Sequence, residues 1–175
     1  MSGRDPQADL LDVLDAIDGA GAEPRPALRS AVLGSVAPGT RLAGFTERLA
    51  ALFDVAGGRA AELIREAGGL ATDWEAFPVA GVRLFHLAGG ARVGGADCGL
   101  VRLEPGVRFP SHRHAGDEWS LILAGEAEEE GTGARWLPGD LLHRAAGSVH
   151  AYRVVGAAPL VFAVVLHGGI QLEGD

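Results

Sequence analysis

Residues 106–125 read GVRFPSHRHAGDEWSLILAG and combine two runs of strand-forming residues with a short turn between them. Along a strand, side chains two residues apart point to the same face, so His112 and His114 are predicted to project together. The residues Ala115–Asp117 have turn-forming composition and would reverse the chain. This reversal would return Glu118 to the side on which the two imidazoles lie.

Two imidazoles and a carboxylate that converge form a recurring site for a borderline divalent metal ion. A fourth candidate ligand is His150, which follows a Gly-Ser turn at the start of another β-rich run. The alternative is a surface His-x-His pair that binds no metal, because such pairs are common. The residues outside the hairpin therefore decide between the two interpretations.

Composition narrows the classes of function. The 175 residues carry a formal net charge of −8 without a cluster of basic residues, so the electrostatic footprint of a nucleic-acid-binding protein is missing. Cys98 is the only cysteine, which excludes an intrachain disulfide and predicts a buried, unreactive thiol. No apolar run reaches the roughly 18 residues of a membrane span and no secretory signal is evident, which predicts a cytoplasmic protein. All 15 basic residues are arginine, as in proteins from GC-rich bacterial genomes.

The chain is predicted to divide into a helical N-terminal segment, residues 1–78, and an all-β domain, residues 79–175. Apolar residues recur at helical spacing in the first part, and we predict helices over residues 9–18, 27–36, 41–55 and 59–69. Gly57-Gly58 is expected to separate the last two helices. From residue 79 onward, short β-rich runs alternate with Gly and Pro, which is typical of an antiparallel sandwich or barrel.

Two of the β-rich runs are apolar on both faces. These are WSLILA, residues 119–124, and LVFAVVL, residues 160–166. A strand with one face in water should alternate apolar and polar residues. We therefore expect the barrel interior on one side of these strands and an N-terminal helix or a second subunit on the other. A homodimer formed through the β part is a further prediction from this pattern.

Other polar residues are interpreted as structural. The acidic run EAEEE, residues 126–130, is predicted to be a solvated hairpin. His86 shares strand parity with apolar neighbours and is predicted to be a core or interface histidine. His143 is predicted to face outward, and Trp119 is predicted to face away from the candidate metal site because its parity is opposite to that of Glu118.

The wider spacing around the hairpin resembles the first sequence motif of the cupin superfamily. Gly106, the His112-x-His114 pair, Glu118 and Gly125 match each fixed position of that motif. The run GDLLHRAAGSVHAYRV, residues 139–154, resembles the second cupin motif and places His150 at its histidine. It departs from the motif in having Ala145 at the usual proline and Val154 at the usual asparagine, and neither position is a ligand in the family pattern.

The resemblance implies a small antiparallel jelly-roll barrel whose metal is held by His112, His114, Glu118 and His150. The parity argument reaches the same four side chains independently. Zinc, iron, manganese and nickel all suit three imidazoles and a carboxylate, and such a set leaves one or two positions open for water or a ligand.

Within the cupins, the sequence is most similar to the ChrR-type cupin domain of zinc-binding anti-sigma regulators. That resemblance favours zinc and implies a regulatory or sensory module whose N-terminal helices bind a protein partner. Residues 1–78 contain no His and no Cys, so the zinc motif of the family's anti-sigma domain is absent and a sigma factor is a doubtful partner. The alternative is an iron- or nickel-dependent dioxygenase, or a related enzyme, that acts on a small molecule. The sequence leaves open whether the protein is an enzyme.

Overall fold

The structure is a computed structural model that describes residues 44–70 and 74–173, with the backbone alone for residues 69 and 70. Helix α1 spans Thr46–Phe53 and helix α2 spans Gly57–Arg65, followed by a π-helical turn over Glu66–Leu70. The last two predicted helices are therefore present, but α2 begins at Gly57 instead of after Gly58. The helices predicted over residues 9–18 and 27–36 lie outside the described residues.

Eleven strands make up the rest of the described chain, together with a short 3-10 turn at Ala91–Val93. They are β1 (Glu75–Ala76), β2 (Val82–Leu87), β3 (Asp97–Leu103), β4 (Arg108–His114), β5 (Glu118–Ala124), β6 (Glu126–Glu129), β7 (Arg135–Trp136), β8 (Leu141–Arg144), β9 (Val149–Val155), β10 (Leu160–Leu166) and β11 (Ile170–Leu172). All pairings are antiparallel. The first sheet has the order β1-β2-β3-β10-β5-β8, and the second has the order β11-β4-β9-β6-β7.

These two sheets form the predicted jelly-roll. Strands β4 and β5, expected to form a hairpin, do not pair with each other: β4 pairs with β9 and β11 in the second sheet, while β5 pairs with β10 and β8 in the first. The turn between them therefore crosses from one sheet to the other. Gly125 ends β5 with a φ of +75°, and a Cβ there would overlap the carbonyl oxygen of Pro159. Glycine is therefore required at this end of the motif for both conformation and space.

The hydrophobic core has two layers, and β5 and β10 contribute to both. Between the sheets lie apolar residues of both, including Ile122 of β5 and Phe162 of β10. On the other face of the first sheet, Leu121 of β5 and Ala163 of β10 belong to a second cluster with residues of α1 and α2. The prediction that WSLILA and LVFAVVL are covered on both sides is confirmed, and helices supply the outer cover. The homodimer stays a prediction.

Polar contacts fix the helices against the β part. Asp54 ends α1 in the left-handed region, at φ 54°, and its carboxylate accepts hydrogen bonds from the backbone N–H and the Nε of Arg92 at 3.0 and 2.8 Å. The buried Arg48 donates from Nη1 to the carbonyl of Gly139 at 2.7 Å. Helices α1 and α2 share a hydrophobic cluster with the first sheet and therefore pack directly on it. Strand β1 also lies before residue 79, so the β structure begins earlier than predicted.

Within the two described stretches of chain, no helix combines the length and the apolar composition needed to span a membrane.

Candidate metal centre

The three candidate histidine ligands come from adjacent strands of the second sheet. His112 and His114 lie on β4, and His150 lies on β9 directly opposite His112. His112 and His114 are both buried on the inner face, as the parity argument predicts. A register irregularity between Phe109 and His112 brings Phe109 to the same face, three residues before His112 instead of two or four.

The three histidines form one compact group. A ring nitrogen from each lies within 4.8 Å of a ring nitrogen of the others, and Nε2 of His114 is 3.0 Å from Nε2 of His150. The side chain of His114 is 0% exposed and that of His150 is 9% exposed. Two imidazole nitrogens that face each other at this distance need a proton or a cation between them, since their lone pairs would otherwise repel. The three histidines can therefore hold a metal ion.

The tautomer of His112 is fixed by its own strand. Its Nδ1 donates a hydrogen bond to the carbonyl of Pro110 at 2.9 Å, which leaves a lone pair on Nε2. The Nδ1 atoms of His114 and His150 are buried without a hydrogen-bond partner among the described residues. A carboxylate oxygen lies near each of them, from Glu118 at 3.5 Å for His114 and from Glu129 at 3.4 Å for His150. The Nε2 atoms, which face each other, are therefore the nitrogens available to an ion.

Glu118 approaches from the first sheet and stays outside the group of three. Its Oε2 lies 3.5 Å from Nδ1 of His114, and its Oε1 accepts a hydrogen bond from Oγ of Ser120 at 2.6 Å. The turn between β4 and β5 therefore brings the carboxylate back beside the imidazoles. Its membership in the ligand set stays a prediction, because it faces the ring nitrogen of His114 that points away from His150.

Burial keeps these histidines neutral, which is the form that binds metals. Desolvation lowers the pKa of His114 to about 4 and that of His150 to about 3, and it also lowers the pKa of His112. The positive charge of Arg144 acts in the same direction on all three. Desolvation raises the pKa of Glu118, which favours its protonated form unless a positive charge such as a metal ion lies beside it.

In the metal-free protein, held so with a chelator, we expect the free energy of unfolding to fall as the pH drops from 6.5 toward 4. Unfolded histidines take up protons near pH 6.5, whereas the folded pKa values of His114 and His150 are about 4 and about 3. The unfolded state then binds more protons, and acid favours it by about 1.4 kcal/mol per pH unit for each histidine concerned. The raised pKa of Glu118 has the opposite effect on the free energy of unfolding, but it involves one carboxyl group and the lowered pKa values involve two histidines.

The measurement is urea unfolding at pH 7, 6 and 5. A His150→Gln variant should show a shallower dependence, by about one proton. An unfolding free energy that does not change between pH 7 and 5 would contradict the neutral, buried state of these imidazoles.

Two residues next to His150 were missed by the sequence analysis. Oε1 of Glu129 lies 3.4 Å from Nδ1 of His150 and accepts a 2.6 Å hydrogen bond from Nη2 of Arg144. The side chain of Glu129 is only 12% exposed, so the interpretation of residues 126–130 as a solvated hairpin is wrong at this position. The available signal was parity, since Glu129 follows the fully buried Ala127 by two residues and so shares its inward face.

We expect Glu129→Gln to weaken metal binding by about 10- to 100-fold, because a carboxylate beside Nδ1 orients an imidazole and increases its basicity. Competition with a chromogenic chelator measures the affinity. Glu128→Gln is the matched control, since Glu128 pairs with the exposed Arg153 and Arg135 instead of His150. Equal affinities for the two variants would show that Glu129 has no part in orienting His150.

The remaining histidines lie outside the group of three. His143 is half-exposed, stacks on Trp119 with ring centroids 4.0 Å apart and has Nε2 3.6 Å from Asp117, so the prediction of an outward-facing His143 is confirmed. Trp119 belongs to the cluster under the helices, on the face opposite the site, as predicted. His86 is exposed, so a core role is wrong for it, whereas an interface role stays a prediction. It lies on the wall of a cavity.

That cavity, of about 290 Å³, lies between the sheets beside the histidines. Most of its wall is aromatic or aliphatic. The polar side chains on the wall include those of His112, Glu118 and Tyr152. Cys98 also borders it and is buried, as predicted, with a pKa raised by desolvation.

A family model described as the ChrR cupin-like domain matches residues 69–168. The chain belongs to this family. Its match covers more than half of the chain and includes the three histidines, Glu118 and most of the cavity lining. No curated protein sequence matches this cupin.

Solved structures agree on the fold. An acetylacetone dioxygenase from Acinetobacter johnsonii is 19% identical, with a TM-score of 0.50 over 60% of this chain and 76% of the other. An RmlC-like cupin from Ralstonia eutropha JMP134 is 17% identical, with a TM-score of 0.52 over 58% and 67% of the two chains. A protein of unknown function with a cupin-like fold, from the same organism, is 18% identical with a TM-score of 0.48, and the match spans 60% of its length and 54% of this chain. The matches with TM-scores of 0.50 and 0.52 establish, at these identities, the cupin fold alone.

Proposed function

We propose that this cupin is a metal-binding regulatory or sensory module whose N-terminal segment contacts a protein partner. The observation that carries the proposal is the group formed by His112, His114 and His150, whose ring nitrogens lie within 4.8 Å of one another. His112 and His114 are buried, and the side chain of His150 is 9% exposed. Membership in the ChrR cupin-like family supports the sensory role.

In this proposal, His112, His114, His150 and Glu118 hold one divalent ion, and zinc is the metal we favour. Neutral imidazoles and a carboxylate are ligands that zinc accepts in a four-coordinate site. A bound divalent ion would supply Lewis-acid character at this end of the cavity. The protein's own contribution is to desolvate the histidines, to fix the tautomer of His112 through Pro110 and to direct Glu129 at His150.

The partner would bind the part of the N-terminal segment that precedes α1. Helices α1 and α2 direct their buried faces, including Leu52 and Leu63, at the β sheet, so those faces serve the fold. The predicted helices over residues 9–18 and 27–36 are therefore the proposed contact region. The proposal also includes a homodimer.

A metal-dependent dioxygenase, with iron or nickel, is the second candidate. The observation in its favour is the cavity of about 290 Å³ bordered by His112 and Glu118, which gives a small molecule access to the ligand group. The shared fold with an acetylacetone dioxygenase adds no more than the architecture, because one fold hosts many functions.

Elemental analysis of protein purified without added metal, together with oxygen-uptake measurements, tests the proposal. We expect about one equivalent of zinc per chain, no substrate-dependent oxygen uptake and co-elution with a partner protein that is lost when residues 1–43 are removed. Iron or nickel accompanied by oxygen uptake would instead establish the dioxygenase. Absence of any metal in the wild type, at the level of a His112→Ala/His150→Ala variant, would refute both.

A further inference from the structure

The cavity beside the metal centre has a strongly divided lining. Most of its wall is apolar and includes the side chains of Phe77, Leu84, Val101, Phe109, Phe162 and Val164. The inner polar groups are His112, Glu118 and Tyr152, whereas His86 and Asp97 are exposed and line it where it reaches the surface. A ligand that fills this space must therefore be apolar over most of its length.

Tyr152 contributes a polar group to the otherwise apolar part of the cavity wall. Tyr152 is 4% exposed, stacks on Phe109 with ring centroids 5.2 Å apart and lies 6.2 Å, centroid to centroid, from His112. Its hydroxyl makes no hydrogen bond to the described residues, and as a phenol it can donate one to a ligand in the cavity. In the cavity this hydroxyl is open to water, and an acceptor on a ligand can replace water as its partner.

Size limits the ligand further. An apolar cavity of about 150 Å³ accommodates benzene, so a cavity of 290 Å³ has room for a molecule about twice as large, of roughly ten to twelve non-hydrogen atoms. Sugar phosphates and other highly polar metabolites would lose their hydration against the aromatic wall without compensating partners.

We infer that this cavity binds a largely apolar, ring-containing molecule with one oxygen, which accepts a hydrogen bond from Tyr152 and points to the His112–Glu118 end. This inference rests on the proposed function, because it names the class of small molecule that the metal centre would sense or act on. The apolar wall supplies affinity, and the single oxygen sets the orientation.

The probe for this inference is 1-naphthol, with naphthalene as the analogue that lacks the oxygen and glucose 6-phosphate as the polar comparison. We expect the metal-loaded full chain to bind 1-naphthol saturably, naphthalene about tenfold more weakly and glucose 6-phosphate not at all, by calorimetry and naphthol fluorescence. Tyr152→Phe should weaken 1-naphthol about tenfold and leave naphthalene unchanged, because the variant removes one hydrogen bond and keeps the ring.

A cavity-filling variant separates binding in the cavity from binding elsewhere. Val164→Phe, with Leu84→Phe as the second choice should the first fail to fold, is expected to weaken both aromatic probes at least tenfold without changing the metal content. Failure of 1-naphthol to bind a protein that contains its metal would overturn this inference and leave the proposed function intact. Naphthol binding by a chain that takes up no metal would refute the proposed function and leave the cavity's ligand class standing.

Discussion

A chain that begins at residue 79, the predicted start of the β domain, is expected to aggregate instead of folding as an isolated barrel. Leu49, Leu52, Phe53 and Leu63 are each 0% exposed in the cluster that covers the outer face of the first sheet. Burial of such a side chain contributes about 1.5–3 kcal/mol, so the four together approach the roughly 5–15 kcal/mol that stabilises a typical domain. Light scattering and thermal unfolding of the shortened chain measure the effect.

Point variants in the full chain test the same contact with less disruption. Leu52→Ala and Phe53→Ala should each lower the free energy of unfolding by about 2–5 kcal/mol. Glu47→Ala, on the exposed side of α1, is the control and should change it by less than about 0.5 kcal/mol. A monomeric, cooperatively folded chain from residue 79 would show that the predicted domain boundary is a real folding boundary and that the helices are dispensable.

Removal of an imidazole from the metal centre is the second change with a large expected effect. His114→Ala and His150→Ala are each expected to lower zinc affinity more than about 100-fold, beyond the 10- to 100-fold typical of residues that only support a ligand. Since zinc would bind the folded state alone, its loss should also lower the Tm by about 10 °C at saturating metal. Chelator competition and thermal unfolding with and without zinc measure the two quantities.

Glu118 is the informative member of this series, because its carboxylate faces Nδ1 of His114 in the structure. If Glu118 binds the metal, Glu118→Gln should match the histidine variants. A loss of only about tenfold would instead assign it to supporting His114 through a hydrogen bond. His143→Ala is the control, since His143 stacks on Trp119 away from the site and should leave affinity unchanged. Unchanged affinity in the His114 and His150 variants would refute the metal centre.

Strand parity accounts for most of what the sequence predicted correctly. His112 and His114 share a face because the strand repeats every two residues, and the irregularity in β4 lies before them and not between them. The same rule predicted the double cover of β5 and β10, since their apolar residues at both parities exclude a face in water. These features depend on local geometry, which one sequence records.

The failures involve partners that are distant in sequence. The parity of Glu129 with Ala127 indicates an inward side chain, but nothing near it in the sequence indicates Arg144, its ionic partner from β8, so it resembled a solvated acid. His86 has the parity of a core residue but lies where the cavity reaches the surface, and a sequence pattern does not show where a barrel is left unfilled. The start of α2 at Gly57 was missed because two glycines suggest a break, whereas here they begin a helix whose apolar face packs on the sheet.

The strands that carry the candidate ligands differ in how far their outer faces are exposed to water. The outer faces of β4 and β9 carry exposed residues such as Arg113, Val149 and Arg153, so those strands can accept substitutions on one side while keeping their histidines on the other. Glu118 has no such freedom, because the next residue along β5, Trp119, lies in the core under the helices. Substitutions that alter this site, in evolution or by engineering, can therefore be accepted on the outer faces of β4 and β9. On β5, a substitution of an outward-facing residue requires a compensating change in the helices that cover it.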